Sequence, residues 1–401
     1  MLSFMLKPTS FQCNIQCDYC FYLEKEAFIS PCEKTPFMRL DMAEHFIRQH
    51  IRQTSDNTVF FTWQGGEPLM AGLEFYQQIV QIQQDIAKEF GKTVKNAIQT
   101  NGILINEKWA DFFKQHDILI GISIDGDEEL HNAYRVNRAG KGTFEQVKNA
   151  INLLNEKGVE FNTLTVVNNL NARHAVRVYR LLKSLGSRYM QFIPVVETQG
   201  LDDNFKPQWL NAGSILPVTT PFSISAQQYA DFINALFNEW IIKDVGRISV
   251  QLFESIFARY CGFEALMCIY REKCGGENLA LEANGDVYSC DHFVYPEYKM
   301  GNIQDLSEQE IAQKATALSA RKQALNQQCQ ACEWKTFCHG GCPKHRFITN
   351  AQGERHNYFC TAYKQIFQHL MPAMNFMVTL KQQGYPIELV SLYRDRIYST
   401  E

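Results

Sequence analysis

The chain is short of everything that would direct it to a membrane or to nucleic acid. No window approaches the roughly 20 uninterrupted apolar residues that a transmembrane helix needs. The opening stretch Met1–Phe11 is broken by Lys7 and Pro8 before it becomes a signal h-region, and it lacks a small-residue cleavage site. With 39 Lys and Arg against 43 Asp and Glu, a net charge of −4, the chain has no cationic excess for a phosphate backbone or an anionic membrane. No tract is of low complexity, and no internal period suggests a solenoid. These absences predict a cytoplasmic protein without nucleic-acid or membrane partners. Its 401 residues suffice for a large core and a second module.

What is present in excess is cysteine, 13 residues of it. A reducing compartment disfavours disulfides, so this number argues for metal ligation. Cys13, Cys17 and Cys20 fall within eight residues and read as ligands converging on one centre. An iron–sulfur cubane normally takes four thiolates. Three leave one iron open to an exogenous ligand, which makes a site for chemistry as well as for electron storage. A structural zinc knuckle borrowing a distant fourth ligand is the alternative, but C-x3-C-x2-C is not a usual zinc spacing.

Downstream the pattern alternates. Strands are predicted at Phe4–Lys7, Thr58–Trp63, Val94–Gln99, Ile118–Ile124, Phe161–Val167 and Tyr189–Pro194. Helices are predicted at 40–54, 73–90, 107–115, 143–157 and 172–185. Apolar strands alternating with helices indicate an α/β fold with a parallel sheet, a barrel or a doubly wound sheet. The polar and glycine-rich motifs each follow a strand: Cys13–Cys20, Gly65-Gly66, Asn101, Asp125 and Gln191. That placement is the one expected for a barrel active site, and six units favour a partial (β/α)6 TIM-type barrel.

Between Glu197 and Ser225, glycines and prolines leave no periodicity, as in a linker or surface loop. A helix over 226–243 follows, then a second cysteine-rich region with Cys261, Cys268, Cys274, Cys290, Cys329, Cys332, Cys338, Cys342 and Cys360. The expected organisation is a core over 1–225, a linking helical region over 226–260, a cluster domain over 261–365 and a helical tail over 366–401. The run Cys329-x2-Cys332-x5-Cys338-x3-Cys342 is too crowded for two zinc knuckles. Eight thiolates suit two fully ligated [4Fe–4S] clusters. Cys32 and Cys261 fit no motif and are expected to be buried as small apolar residues. Asn284-Gly285-Asp286 reads as a hairpin turn. Asp291, next to Cys290, reads either as a general base or as a turn cap. The histidines, His45, His50, His116, His339, His345 and His369 among them, lack partner motifs and are given no catalytic role.

The octet Cys13–Cys20 with Gln64-Gly65-Gly66-Glu67-Pro68 resembles the radical S-adenosylmethionine (SAM) enzymes, and the second cysteine region resembles their SPASM auxiliary-cluster domain. Together with Gln99-Thr100-Asn101-Gly102, Ser123-Ile124-Asp125-Gly126, Asn171-Ala172-Arg173-His174 and Cys290-Asp291, the chain from about Leu6 to Tyr363 resembles the anaerobic sulfatase-maturating enzymes. The resemblance implies three [4Fe–4S] clusters and SAM as cofactors. Cys13, Cys17 and Cys20 would hold the SAM-binding cluster. Cys268, Cys274, Cys290 and Cys342 would hold one auxiliary cluster, and Cys329, Cys332, Cys338 and Cys360 the other. It further implies SAM contacts from Tyr19, Gly66, Glu67, Ser123, Arg135 and Met190, with Gln64, Gln99 and Asn101 on the substrate and Asp291 as base. The implied substrate is a sulfatase polypeptide with a Cys/Ser-x-Pro-x-Arg motif, oxidised to Cα-formylglycine, and the implied reductant a flavodoxin or ferredoxin. Leu201–Pro221 looks like an insertion relative to that family, and the Cys274–Cys290 spacer is a residue longer than usual. A maturase that oxidises or cross-links a ribosomal peptide is the alternative; no recognition-type extension precedes Phe4. An electron-transfer or zinc scaffold leaves the Gly65-Gly66 turn unexplained.

Overall fold

The structure is a computed structural model and describes residues 2–29, 37–201, 207–209, 218–274 and 278–398. The main strands are β1 (Phe4–Lys7), β2 (Thr58–Trp63), β3 (Thr93–Thr100), β4 (Leu119–Ser123), β5 (Phe161–Val167), β6 (Tyr189–Pro194), β7 (Ser249–Val250), β8 (Leu279–Glu282), β9 (Asp286–Tyr288) and β10 (Lys299–Asn302). Helices Leu40–Gln53, Leu73–Phe90, Glu107–Gln115, Phe144–Lys157 and Ala175–Ser184 alternate with the first strands. The last of them starts later than the sequence suggests, because Asn168 and Asn171 tie the preceding turn into a 3-10 segment, Asn171–Arg173.

Two compact units form, and each draws on several stretches of chain. The first comprises Met1–Ile124, His131–Phe161 and Cys274–Ala320. Its strands run in the order β4, β3, β2, β1, β8, β9, β10. The pairs from β4 through β8 are parallel, with Lys7 opposite Glu282 and Leu6 opposite Trp63. The hairpin expected at Asn284–Asp286 turns β8 back into antiparallel β9, and Gly285 supplies the left-handed residue at φ 86°. Helices 40–53 and 73–90 turn one apolar face inward through Phe46, Ile47, Tyr76 and Ile79. Each such side chain contributes about 1.5–3 kcal/mol by leaving water.

The second unit comprises Asp125–Leu130, Asn162–Lys273 and Arg321–Glu401. In it β5, β6 and β7 run parallel, with Thr163 opposite Met190 and Met190 opposite Val250. Helix Ala226–Lys243 begins with a reciprocal capping box between Ser225 and Gln228. It packs Phe237 and Trp240 among rings from helices Gln251–Tyr260 and Cys360–Gln382, and Tyr229 against Phe359 just before the latter. The stretch read as an irregular linker carries an antiparallel sheet of Thr198–Leu201, Pro207–Trp209 and Val218–Thr219. Strands this short show no alternation long enough to read. Cys32 and much of the expected insertion lie outside the described residues.

Candidate metal centres and active site

The cysteine loop leaves β1 and is clamped from several sides within the first unit. Residues Ile15–Cys17 pair antiparallel with Arg135–Asn137, which sets Cys17 opposite Arg135. Arg138 Nη2 donates to the Cys13 carbonyl at 2.7 Å. Asn101 Nδ2 donates to Asn14 Oδ1 at 2.7 Å and reaches Cys13 Sγ at 3.8 Å, while Arg135 Nη1 reaches Cys17 Sγ at 3.9 Å. Donors aimed at sulfur suit a thiolate-ligated cluster, whose potential responds to such contacts. Burial and the Glu67 charge push the Cys13 thiol up to about 12, so metal binding at this cysteine releases a proton. Among the described residues no three or more His, Cys, Asp or Glu side chains are grouped for a single ion.

The Gln64–Pro68 turn explains why glycine is required there. A Cβ on Gly66 would stand 2.0 Å from the Gln12 carbonyl oxygen, and Gly65 has φ 146°. Backbone bonds from Gly66 N to Ser10 O (2.7 Å) and Glu67 N to Gln12 O (2.8 Å) fuse turn and cysteine loop. The Glu67 carboxylate is fully buried and accepts from Leu69 N, Thr100 Oγ1 and Asn101 N at 3.0, 2.7 and 2.8 Å. Burial pushes its carboxyl up to about 7 against those donors. The Glu67 side chain is thus held inside the protein, where it ties the turn to Thr100 and Asn101. Asn101 faces the cysteine loop. Its amide serves Asn14 and Cys13, and its Oδ1 accepts from Ile103 N at 3.0 Å, so it helps to position the cysteine loop.

Arg135 is buried at 6 % exposure, with its guanidinium 5.4 Å from the centre of the Tyr19 ring, itself buried and edge-on to Tyr134. Ser123 and Gln99 project together from neighbouring strands, with Gln99 Nε2 donating to Ser123 Oγ at 3.1 Å. Met190 belongs to the second unit, where it is buried between β5 and β7 in register.

The chemistry-bearing cluster that the sequence did not disclose centres on Lys7. Its ammonium, 1 % exposed, donates to Asp291 Oδ1 at 2.5 Å and to Gln64 Oε1 at 2.9 Å, and lies 4.7 Å above the Tyr22 ring. Tyr22 Oη and Ser10 Oγ donate to the two oxygens of buried Glu282 at 2.8 and 2.7 Å. Burial raises the Glu282 carboxyl, with the Lys7 charge opposing. Asp291 opens a 3-10 turn and is buried, so it is held by a cation as well as placed at a turn. A lysine closing an apolar strand was the available signal for this site.

In the second unit Cys329, Cys332, Cys338 and Cys360 line one cavity with Trp334 and Phe367. Four thiols on one cavity fit a fully ligated cubane. Burial pushes the Cys338 thiol up to about 12, opposed first by Lys322, and raises Cys329, opposed first by Arg346. Cys268 and Cys342 lie in the same unit, Cys274 and Cys290 in the first. Cys261, expected to be buried, is half-buried at the end of helix Gln251–Tyr260. His50 and His369 have structural partners, Glu308 and Asn238.

Residues 8–182 match the family model of the radical SAM superfamily, and residues 268–333 that of an iron–sulfur cluster-binding domain. The chain is 39% identical to a serine-type anaerobic sulfatase-maturating enzyme of Bacteroides thetaiotaomicron, over 98% of this chain and 95% of the relative. It is 32% identical to a cysteine-type enzyme of Clostridium novyi, over 94% and 97%. A solved structure described as native anSMEcpe with bound AdoMet and Cp18Cys peptide superposes with a TM-score of 0.82 at 29% identity, covering 94% of this chain and 99% of the other.

Proposed function

Since the chain belongs to the anaerobic sulfatase-maturating enzymes of the radical SAM superfamily, we propose that it oxidises a Cys or Ser side chain of a sulfatase polypeptide to Cα-formylglycine. The observation that carries this reading is a three-cysteine loop sharing one unit with a buried carboxylate, Asp291, which Lys7 holds next to Cys290. Three [4Fe–4S] clusters are assigned to Cys13, Cys17 and Cys20, to Cys268, Cys274, Cys290 and Cys342, and to Cys329, Cys332, Cys338 and Cys360. When bound, the first cluster and SAM supply a 5′-deoxyadenosyl radical that takes one hydrogen atom from the target Cβ.

The remaining work falls to the chain. Backbone around Gly66, the Tyr19–Arg135 pair, Ser123 and Met190 hold SAM. Gln64 and Gln99 hydrogen-bond the substrate backbone. Asp291 accepts the proton of the target thiol or hydroxyl. With one hydrogen atom and one proton gone, one electron remains to be taken up, and clusters held by the auxiliary cysteines would supply an acceptor for it. Serine then gives the aldehyde directly, and cysteine gives it after hydrolysis of a thioaldehyde, with release of hydrogen sulfide. The substrate is assigned the Cys/Ser-x-Pro-x-Arg motif, and the reductant is a flavodoxin or ferredoxin.

The test is an anaerobic incubation of reconstituted protein with SAM, dithionite and a Cys-x-Pro-x-Arg peptide beside its Ser twin, read by mass spectrometry. Aldehyde formation with 5′-deoxyadenosine is the expected result. Deoxyadenosine with both peptides unmodified removes the substrate assignment. Asp291→Asn should lower turnover by about 10²–10⁴-fold with iron content intact, and undiminished turnover removes the base.

A further inference from the structure

One carboxylate ties down both ends of the cysteine loop. Glu282, fully buried on β8, accepts from Ser10 Oγ at 2.7 Å on one oxygen and from Tyr22 Oη at 2.8 Å on the other. Ser10 precedes Cys13 and Tyr22 follows Cys20, so the two bonds bracket all three thiols. Every residue of this arrangement belongs to the first unit. The bond at Ser10 holds a backbone that a side chain resists, since Ser10 has φ 50°; such residues persist where their surroundings over-determine them. In that conformation the Ser10 carbonyl accepts from Gly66 N at 2.7 Å and stands 3.1 Å from the place of a Cβ on Gly65. At the other end, Cys20 packs against the cluster formed by Tyr22, Ala280, Tyr288 and Val294.

Packing alone does not call for a carboxylate here, because a buried anion is costly unless its oxygens are bonded. Lys7 lies opposite Glu282 in the β1–β8 register, and its ammonium donates to Asp291 and Gln64. The oxygens of Glu282 serve the two hydroxyls, and joining Ser10 to Tyr22 takes a side chain with two polar atoms at its tip. We propose that Glu282 is a positioning residue for SAM: by joining Ser10 to Tyr22 it holds the cysteine loop and the Gly66 turn in the arrangement that binds SAM for cleavage. The proposal rests on the reading that Cys13, Cys17 and Cys20 hold the SAM-binding cluster with the Gly66 backbone beside it. It separates Glu282 from Lys7 and Asp291, which serve the proton of the target residue. Glu282 acts one step earlier, through Ser10 and Tyr22, and it does so from between Cys274 and Cys290, so the auxiliary segment completes the SAM site.

The experiment uses the reconstituted full-length enzyme without peptide. Iron content, deoxyadenosine formation against SAM concentration, and the electron paramagnetic resonance spectrum of the reduced enzyme with and without SAM are measured on wild type, Glu282→Leu, Glu282→Gln, Ser10→Ala and Tyr22→Phe. Glu282→Leu fills the space and breaks both ties; it should raise KM for SAM roughly tenfold or more and weaken the spectral response to SAM while iron is kept. Glu282→Gln should recover most of that loss, because a hydroxyl can donate to the amide oxygen or accept from its nitrogen. Ser10→Ala and Tyr22→Phe should each fall between, and neither should add to Glu282→Leu. A wild-type KM and spectral response in Glu282→Leu overturns the proposal, as does a Glu282→Gln enzyme as impaired as Glu282→Leu, which would make charge and not the tie the cause. If Glu282→Leu loses its iron, the single-tie variants decide: raised KM in both supports the proposal, and wild-type KM in both overturns it. Wild type that forms no deoxyadenosine from SAM removes the underlying cofactor reading instead.

Discussion

Replacing Lys7 with Met keeps the length of the stem and deletes the ammonium that reaches Asp291 at 2.5 Å and Gln64 at 2.9 Å. Both members of the ion pair are buried, and removing one partner of such a pair costs about 3–5 kcal/mol. If about 3 kcal/mol of that appears as misplacement of the Asp291 carboxylate, product formation slows by roughly 10²-fold. The step that cleaves SAM does not need the base, so deoxyadenosine should continue to form. The quantity to measure is therefore deoxyadenosine released per aldehyde formed, by chromatography and mass spectrometry of one anaerobic reaction. Lys7→Met should raise that ratio well above wild type, and Lys7→Arg should bring it part of the way back. Combining Lys7→Met with Asp291→Asn should be hardly worse than Asp291→Asn alone, because both act on one interaction. A Lys7→Met enzyme with full iron and a wild-type ratio would refute the reasoning.

Gly66→Ala sets a Cβ 2.0 Å from the Gln12 carbonyl oxygen; the cysteine loop must shift, and iron analysis should find about four fewer atoms per chain. Glu67→Gln exchanges an acceptor for an amide donor facing the Asn101 and Leu69 N–H groups and Thr100 Oγ1, which should cost about 1–3 kcal/mol in denaturant unfolding. The native carboxyl of Glu67, raised to about 7 from 4.5, contributes stability that is complete below pH 4.5 and lost as pH rises through 7. Wild type should therefore lose about 1 kcal/mol between pH 6 and 7 that Glu67→Gln does not lose, and parallel pH profiles would contradict the shift. Cys329→Ala should remove one cluster, again about four iron atoms, while leaving deoxyadenosine formation in place.

Much of this architecture was legible because its signals are local. The β/α alternation through Pro194 depends on apolar periodicity, and the strands at Phe4–Lys7, Thr58–Trp63 and Phe161–Val167 appear at the expected residues. The Cys13–Cys20 loop and the Asn284–Asp286 turn announce themselves by spacing and by turn chemistry. What stayed hidden depends on partners far away in the chain. Leu279–Glu282 resembles any short apolar run until it pairs with Phe4–Lys7. Glu67 and Asn101 sit in motifs suggestive of ligand contact, and only their hydrogen-bond partners reveal that they brace the cysteine loop. Arg135 reads equally well as a solvated charge until Tyr19 and Cys17 are found beside it.

The parallel pairing of β1 with β8 also fixes when the enzyme can be assembled. Lys7 and Asp291 are 284 residues apart in sequence, so a nascent chain exposes the cysteine loop long before the strand that flanks it exists. At about 5–20 residues per second of synthesis, the interval is roughly 15–60 s. During that time the loop lacks the Ser10 and Tyr22 anchors on Glu282. Closing such a long loop is slow and entropically costly. Productive loading of the first cluster therefore belongs after β8 has been synthesised and has docked, and iron delivered earlier would meet thiols that are not yet arranged to keep it.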